Sequence, residues 1–172
     1  MGGRKVSGRL LTAGIIASIL PDADAVGFLA GIPYSHPMGH RGFSHSIAVA
    51  FLLALCGLLL ANWLRSGRIT AFIIVFVSAM SHGLLDALTS GGLGVAFLSP
   101  FSNERFFFSW RSISVSPLSL ERLMNSRGLM VLQSEFTWVW LPSISVGLLG
   151  FILKKVLPQL KPESGRDKTG GR

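Results

Sequence analysis

Reactive side chains are scarce in this sequence: one cysteine, four histidines and eight Asp or Glu in 172 residues. The single Cys56 excludes an internal disulfide, and because it lies inside an apolar run it does not report a redox compartment. Charged residues make up only 14% of the chain against 49% hydrophobic ones, a balance too apolar for an ordinary soluble domain. The sequence has no internal repeat. The apolar run at 10–20 leads into Pro21-Asp22-Ala23-Asp24 and not into a small-residue cleavage site, so no cleavable signal peptide is expected.

What the chain has in abundance is apolar length. Three runs, at 47–64, 69–88 and 136–157, are long enough to cross a hydrocarbon core that takes about 20 helical residues. A fourth, at 10–20, is shorter and would span only with help from residues 6–8, so it reads as a short or re-entrant helix or as a fragment of a longer one. The expected fold is therefore all-α, a polytopic membrane protein of about four transmembrane helices. Residues 1–157 form the membrane domain, 89–135 its one sizeable extramembrane loop, and 158–172 a disordered basic cytoplasmic tail. Within the loop, the alternation at 112–116 suggests a short strand. The aromatic cluster around Phe106–Phe108 suits the headgroup region.

Basic residues set the orientation, because short cytoplasmic loops are rich in Lys and Arg. Arg4, Lys5, Arg9, Arg65, Arg68 and the six basic residues from Lys154 onward fall on one side, eleven in all; Arg41, Arg105, Arg111, Arg122 and Arg127 fall on the other. Both termini are thus expected in the cytoplasm. The net charge of +8 needs no nucleic-acid partner, since anionic membrane lipid attracts such a distribution.

Scarcity makes the placement of the acids and histidines informative. Among the first hundred residues the only acids are Asp22, Asp24 and Asp86, and the only histidine besides His40, His45 and His82 is His36. Six of these seven residues fall in three motifs, Pro21-Asp22-Ala23-Asp24, His40-Arg41-Gly42-Phe43-Ser44-His45-Ser46 and His82-Gly83-Leu84-Leu85-Asp86. On the expected topology all three lie on the outer side of the membrane. Ionisable groups at membrane depth cost on the order of 3 kcal/mol each, so their concentration points to function. His82 and Asp86, four residues apart, share one helix face. His40 and His45 straddle a glycine, which fits a turn leading into a helix, and Pro21 favours an extended or turning backbone at Asp22 and Asp24. Mixed imidazole and carboxylate donors suit a divalent metal, zinc first, with manganese or iron also compatible, and six donors leave room for one or two ions.

The remaining polar residues divide between site and background. Arg41, between two histidines, is expected to act in the site, whereas Arg105 and Arg111 read as headgroup contacts and His36 as a loop residue. Glu135 either starts the last helix, where a carboxylate offsets the dipole, or joins the site as ligand or base. The serines around Ser112 lack the context of a nucleophilic triad. The same donors would equally serve a metal-binding or ion-transporting protein without hydrolysis, or a metal that only holds the fold.

These motifs, together with Ser81-His82 and the later Pro100-Phe101-Ser102, resemble those of the YdjM-like inner-membrane proteins over about residues 10–145. The element at 40–46 is the most specific part of the likeness. The resemblance implies a multi-pass inner (plasma) membrane protein acting as a metal-dependent hydrolase. Asp22, Asp24, His40, His45, His82 and Asp86 would then be ligands or their supports, Arg41 would face charge growing on a phosphoryl group, and Glu135 would take a proton from water. A phosphoester of a lipid or lipid-linked molecule is the expected substrate. The spacing of His82 and Asp86 is also similar to an element of zinc-dependent phospholipases C. The chain departs from the pattern in one respect. Many such proteins carry a further His near the start of a longer first helix, and none precedes His36 here, which points to a smaller ligand set or to a start upstream of Met1.

Overall fold

The computed structural model describes residues 6–115 and 126–156, which divide into two units, one ending at Ser116 and the other starting at Pro117. The tail expected at 158–172, as well as Ser116 and Arg122, lies outside the described residues.

The first unit is built on three helices. Helix α1 (Gly8–Ile19) starts at Ser7, whose extended backbone and side-chain oxygen cap it by accepting the N–H of Leu10 at 3.1 Å. It continues directly into a 3-10 helix (Leu20–Phe28) with Pro21 in its first turn, where a missing N–H is harmless. Together they make a 21-residue apolar run, Gly8–Phe28, long enough to cross a membrane. Of the forms expected for 10–20, a short or re-entrant helix or a fragment of a longer one, the structure shows the last: the span gains its length at the C-terminal end, through the segment that carries Asp22 and Asp24.

Ser46 caps α2 (Ile47–Leu59) by accepting the N–H of Val49 at 3.2 Å. This helix stops well before the expected boundary at residue 64. Its 13 residues cover about 20 Å at 1.5 Å per residue, short of a hydrocarbon core of about 30 Å. Beyond it the chain turns through Asn62, Ser66 and Gly67, all poor at prolonging a helix, with Arg65 between them in the left-handed region (φ 52°). Helix α3 (Arg68–Ala87) matches the expected run at 69–88 and is long enough to span.

Small residues let these helices approach closely. Helix α3 buries Ala71, Val75, Ala79, Gly83 and Ala87 at every fourth position and packs against both α1 and α2. Helix α2 answers with Ala50, Ala54 and Gly57, and α1 with Leu10, Gly14 and Ala17. At Gly57 a Cβ would lie 2.9 Å from a Val75 methyl and 3.3 Å from the Ala71 carbonyl oxygen, so only glycine permits this approach. The outward faces carry exposed Ile, Leu and Phe side chains, as a surface solvated by hydrocarbon requires.

The second unit is a continuous helical run, α4 (Ser126–Glu135), a π-helical segment (Phe136–Trp140) and α5 (Leu141–Val156). Its stretch Gly128–Val156 is long and apolar enough to span. Pro142 has no N–H to give four residues back, and the helix widens just before it, with the Leu141 N–H bonding to the Phe136 carbonyl. Two expectations change here. The loop does not extend to 135, because helix is already present from Ser126, and Glu135 closes α4 inside that run instead of opening a helix. The strand expected at 112–116 is also replaced: among the described residues there is no strand, only isolated bridges pairing Thr89 with Ile113 and Val95 with Phe106.

Candidate metal centre

Three elements of the first unit deliver the donors. The 3-10 helix after α1 carries Asp22 and Asp24, the 3-10 turn Phe43–His45 carries His45, and the last turns of α3 carry His82 and Asp86. With about three residues per 3-10 turn, residues two apart point to different sides. The His45 ring fits between the two aspartates accordingly, its Nε2 3.6 Å from Asp22 Oδ1 and its Nδ1 3.2 Å from Asp24 Oδ2.

Asp22, His45, His82 and Asp86 form a group whose donor atoms all lie within 4.8 Å of one another and could hold a metal ion. His45 Nε2 is 3.1 Å from Asp86 Oδ2, His82 Nε2 is 3.1 Å from Asp22 Oδ1, and His82 Nε2 is 3.6 Å from Asp86 Oδ2. Donors around a tetrahedral ion with bonds of about 2.0–2.2 Å stand about 3.3–3.6 Å apart, close to this spacing. His45 Nε2, His82 Nε2 and Asp86 Oδ2 are moreover buried without a hydrogen-bond partner, although polar atoms in a protein interior almost always have one. A cation among them would satisfy all three at once. The side chain of Asp22 is 49% exposed while that of His45 is wholly buried, so the group is open on the Asp22 side.

Around this group lies a ring of supports. Asp24, His40 and His45 make a second cluster, but its atoms bond to each other. Asp24 Oδ1 is 2.7 Å from His40 Nδ1, and Asp24 Oδ2 accepts the Arg41 N–H at 3.2 Å and the Ser44 hydroxyl. The carboxylate thus holds His45 by Nδ1 and turns its Nε2 toward Asp22 and Asp86, the arrangement that orients metal-binding imidazoles. Burial opposes a positive charge on His45, yet the carboxylates of Asp22, Asp24 and Asp86 around it outweigh that and push its pKa up to about 10.

Arg41, expected to face a phosphoryl group, has its guanidinium engaged within the protein. Its Nη2 is 2.8 Å from Asp86 Oδ1, and its Nη1 donates to Thr89 Oγ1 at 2.8 Å, to the Gly91 carbonyl at 3.1 Å and to the Asp86 carbonyl at 3.3 Å. Asp86 sits at the negative end of α3, where an acid is disfavoured, and this cation offsets both the carboxylate and the helix terminus. One oxygen of Asp86 is thereby held, and the other is left facing His45 and His82. Arg41 reaches this position with φ 60°, a left-handed conformation that costs a non-glycine residue roughly 1–3 kcal/mol. The neighbouring Gly42 has no alternative, since a Cβ there would lie 2.2 Å from the Pro37 carbonyl oxygen.

Arg105 is not a headgroup contact. It donates to the carbonyls of His40 (3.0 Å), Gly94 (3.4 Å), Tyr34 (3.0 Å) and His36 (3.2 Å), and stacks over the Tyr34 ring, pinning the 34–42 loop behind His40. Sequence reasoning missed Arg105, Ser44 and Thr89 as supports; only Ser44 had a signal, its place inside the 40–46 motif. Arg111 lies over the Phe107 ring, and His36 accepts the Met38 N–H within its own loop. Glu135 belongs to the second unit and is described with it.

Comparison with known proteins agrees with this architecture. The profile of the YdjM inner membrane protein family matches residues 2–157. The chain is 45% identical to the inner membrane protein YbcI of Escherichia coli (strain K12) over 145 residues, 84% of each chain. No solved structure matches it significantly. With most of its length covered by the family profile and by this relative, the chain belongs to the YdjM family of inner membrane proteins.

Proposed function

We propose that the protein is a metal-dependent hydrolase of the inner membrane, acting on a phosphoester of a lipid or lipid-linked molecule. The observation that carries this reading is the group of four converging donors, three of them buried without hydrogen-bond partners and the fourth, Asp22, half-exposed. Asp22, His45, His82 and Asp86 are assigned as ligands, and Asp24 and His40 as their supports. Zinc fits best by donor type and number, with manganese or iron as alternatives. Such an ion supplies Lewis acidity and an acidified water at neutral pH.

The protein's own residues do the rest. Asp24 fixes the His45 tautomer, Arg41 fixes Asp86, and the open side at Asp22 admits substrate and water. Hydrolysis joins the water oxygen to phosphorus, breaks the ester P–O bond and passes the water's proton to the departing alkoxide. By the split of basic residues, the site is assigned to the periplasmic side, with both termini cytoplasmic. Membrane lipid is the partner on this reading, and nucleic acid is not.

The test is metal analysis of purified protein together with a panel of phosphomonoester and phosphodiester substrates. Wild type should bind metal and turn over at least one substrate, and His82→Ala should lose both, because it removes a direct ligand. If metal binds and no substrate turns over above the His82→Ala control, the protein is a metal-binding or ion-transporting member without hydrolase activity.

A further inference from the structure

An apolar groove of about 600 Å³ lies beside the metal centre, within the first unit. Its walls come from Ile47, Phe51 and Leu52 of α2 and Phe76 of α3, and apart from Ser99 every side chain lining it is apolar. Two lining residues tie it to the site. Phe43 opens the same 3-10 turn that ends at His45. Phe97 accepts the Ile47 N–H at 3.0 Å, and its ring lies 3.3 Å from where a Gly83 Cβ would sit, at the residue after His82. The His45 carbonyl is equally 3.3 Å from that point. The groove and the metal centre therefore share one patch of α3.

The surroundings indicate what fills it. Helix α3 is long and apolar enough to span the membrane, and Phe51 and Leu52 on α2 are exposed, so the groove opens onto hydrocarbon. Phe101 at its rim is 93% exposed, a placement that suits a membrane boundary and not water. The volume falls within the about 300–1,000 Å³ of cavities that hold small ligands.

We propose that this groove binds one hydrocarbon chain of a lipid phosphoester whose phosphorylated headgroup lies at the metal centre. The headgroup half of this assignment rests on the hydrolase reading above; the chain half does not. Because the bilayer is as apolar as the groove, binding there adds little hydrophobic free energy. Its contribution is positional, holding the scissile bond against the site.

The experiment uses the full chain in lipid nanodiscs, with Ala48→Trp and Leu52→Trp each filling the groove and Val77→Trp as a control on an exposed α3 position outside it. Metal content is read first and should be unchanged in all three. Turnover of long-chain phosphatidic acid should fall at least about fivefold in both groove variants, as expected for lost positioning. A short-chain, water-soluble phosphoester should be unaffected, and so should the control. In parallel, phosphatidic acid carrying a diazirine in the headgroup-proximal half of its chain should crosslink to the peptides containing Phe51 and Phe101, and both groove variants should abolish this. Equal loss on long and short substrates, or no loss on either, overturns the proposal. So does labelling spread evenly to the Val77 face, which means bulk lipid only, or labelling of the groove by a protein segment instead. If wild type turns over no phosphoester at all, the hydrolase reading fails, and groove crosslinking alone then sustains or overturns the chain site.

Discussion

Replacing Arg41 by alanine separates two roles that a sequence cannot distinguish. Its guanidinium makes one ion pair to Asp86 Oδ1 at 2.8 Å and three hydrogen bonds to Thr89, Gly91 and the Asp86 carbonyl. In the metal-free protein, Arg41→Ala leaves a mostly buried carboxylate at the negative end of α3 without its partner, a change that typically costs about 3–5 kcal/mol. In the metal-bound protein Asp86 still faces a cation, so the loss moves into affinity. Removing a group that orients a ligand weakens metal binding about 10–100-fold, equivalent to about 1.4–2.8 kcal/mol. Arg41→Lys should recover only part of this, because an ammonium restores the charge but cannot reach Asp86, Thr89 and Gly91 as a fork. The assay is competition with a chromophoric chelator on purified protein. Were Arg41 to act on the phosphoryl group instead, affinity would stay within twofold of wild type while turnover fell about 100-fold, and that result would refute the positioning argument.

Four further outcomes follow from the geometry and the charge distribution. His45 carries a proton up to about pH 10 in the metal-free protein, so metal uptake displaces it: affinity should rise about tenfold per pH unit from roughly pH 7 to 9, and a flat profile would exclude His45 as a ligand. The same raised pKa stabilises the metal-free fold fully below the unfolded value near 6.5, and that contribution should disappear as pH climbs through about 10, measurable by thermal unfolding in detergent. Gly57→Leu forces a side chain into space where even a Cβ meets Val75 at 2.9 Å, and should cost about 1–3 kcal/mol in the same unfolding assay, with an unchanged Tm counting against the close α2–α3 packing. A reporter fused after Arg172 should behave as cytoplasmic and one inserted near Asn103 as exported; an exported C-terminus would move the metal centre to the cytoplasmic face.

Much of this molecule was determined by the sequence alone, because hydropathy and helical spacing are local properties. Apolar length identified the span at 69–88 almost to the residue, and four-residue spacing put His82 and Asp86 on one face. The concentration of scarce acids and histidines in three motifs marked the residues that converge, since burial of such groups is too costly to be incidental. Helix ends were less legible. Apolar length alone does not separate 47–59 from 60–64, yet the chain turns at Leu60, and the 3-10 continuation through Pro21 lengthens a run that looked too short.

Only the tertiary structure decided how the six candidate residues divide. Asp22 and Asp24 are chemically alike and two residues apart, but the His45 ring stands between them, so one faces its Nε2 and the other its Nδ1. Arg41 is adjacent to His40 in sequence, yet its guanidinium lies on Asp86, forty-five residues on. Arg105 looked like a headgroup contact and instead holds the carbonyls behind His40. The direction in which a side chain points is set by partners distant along the chain, and that information is absent from any local pattern.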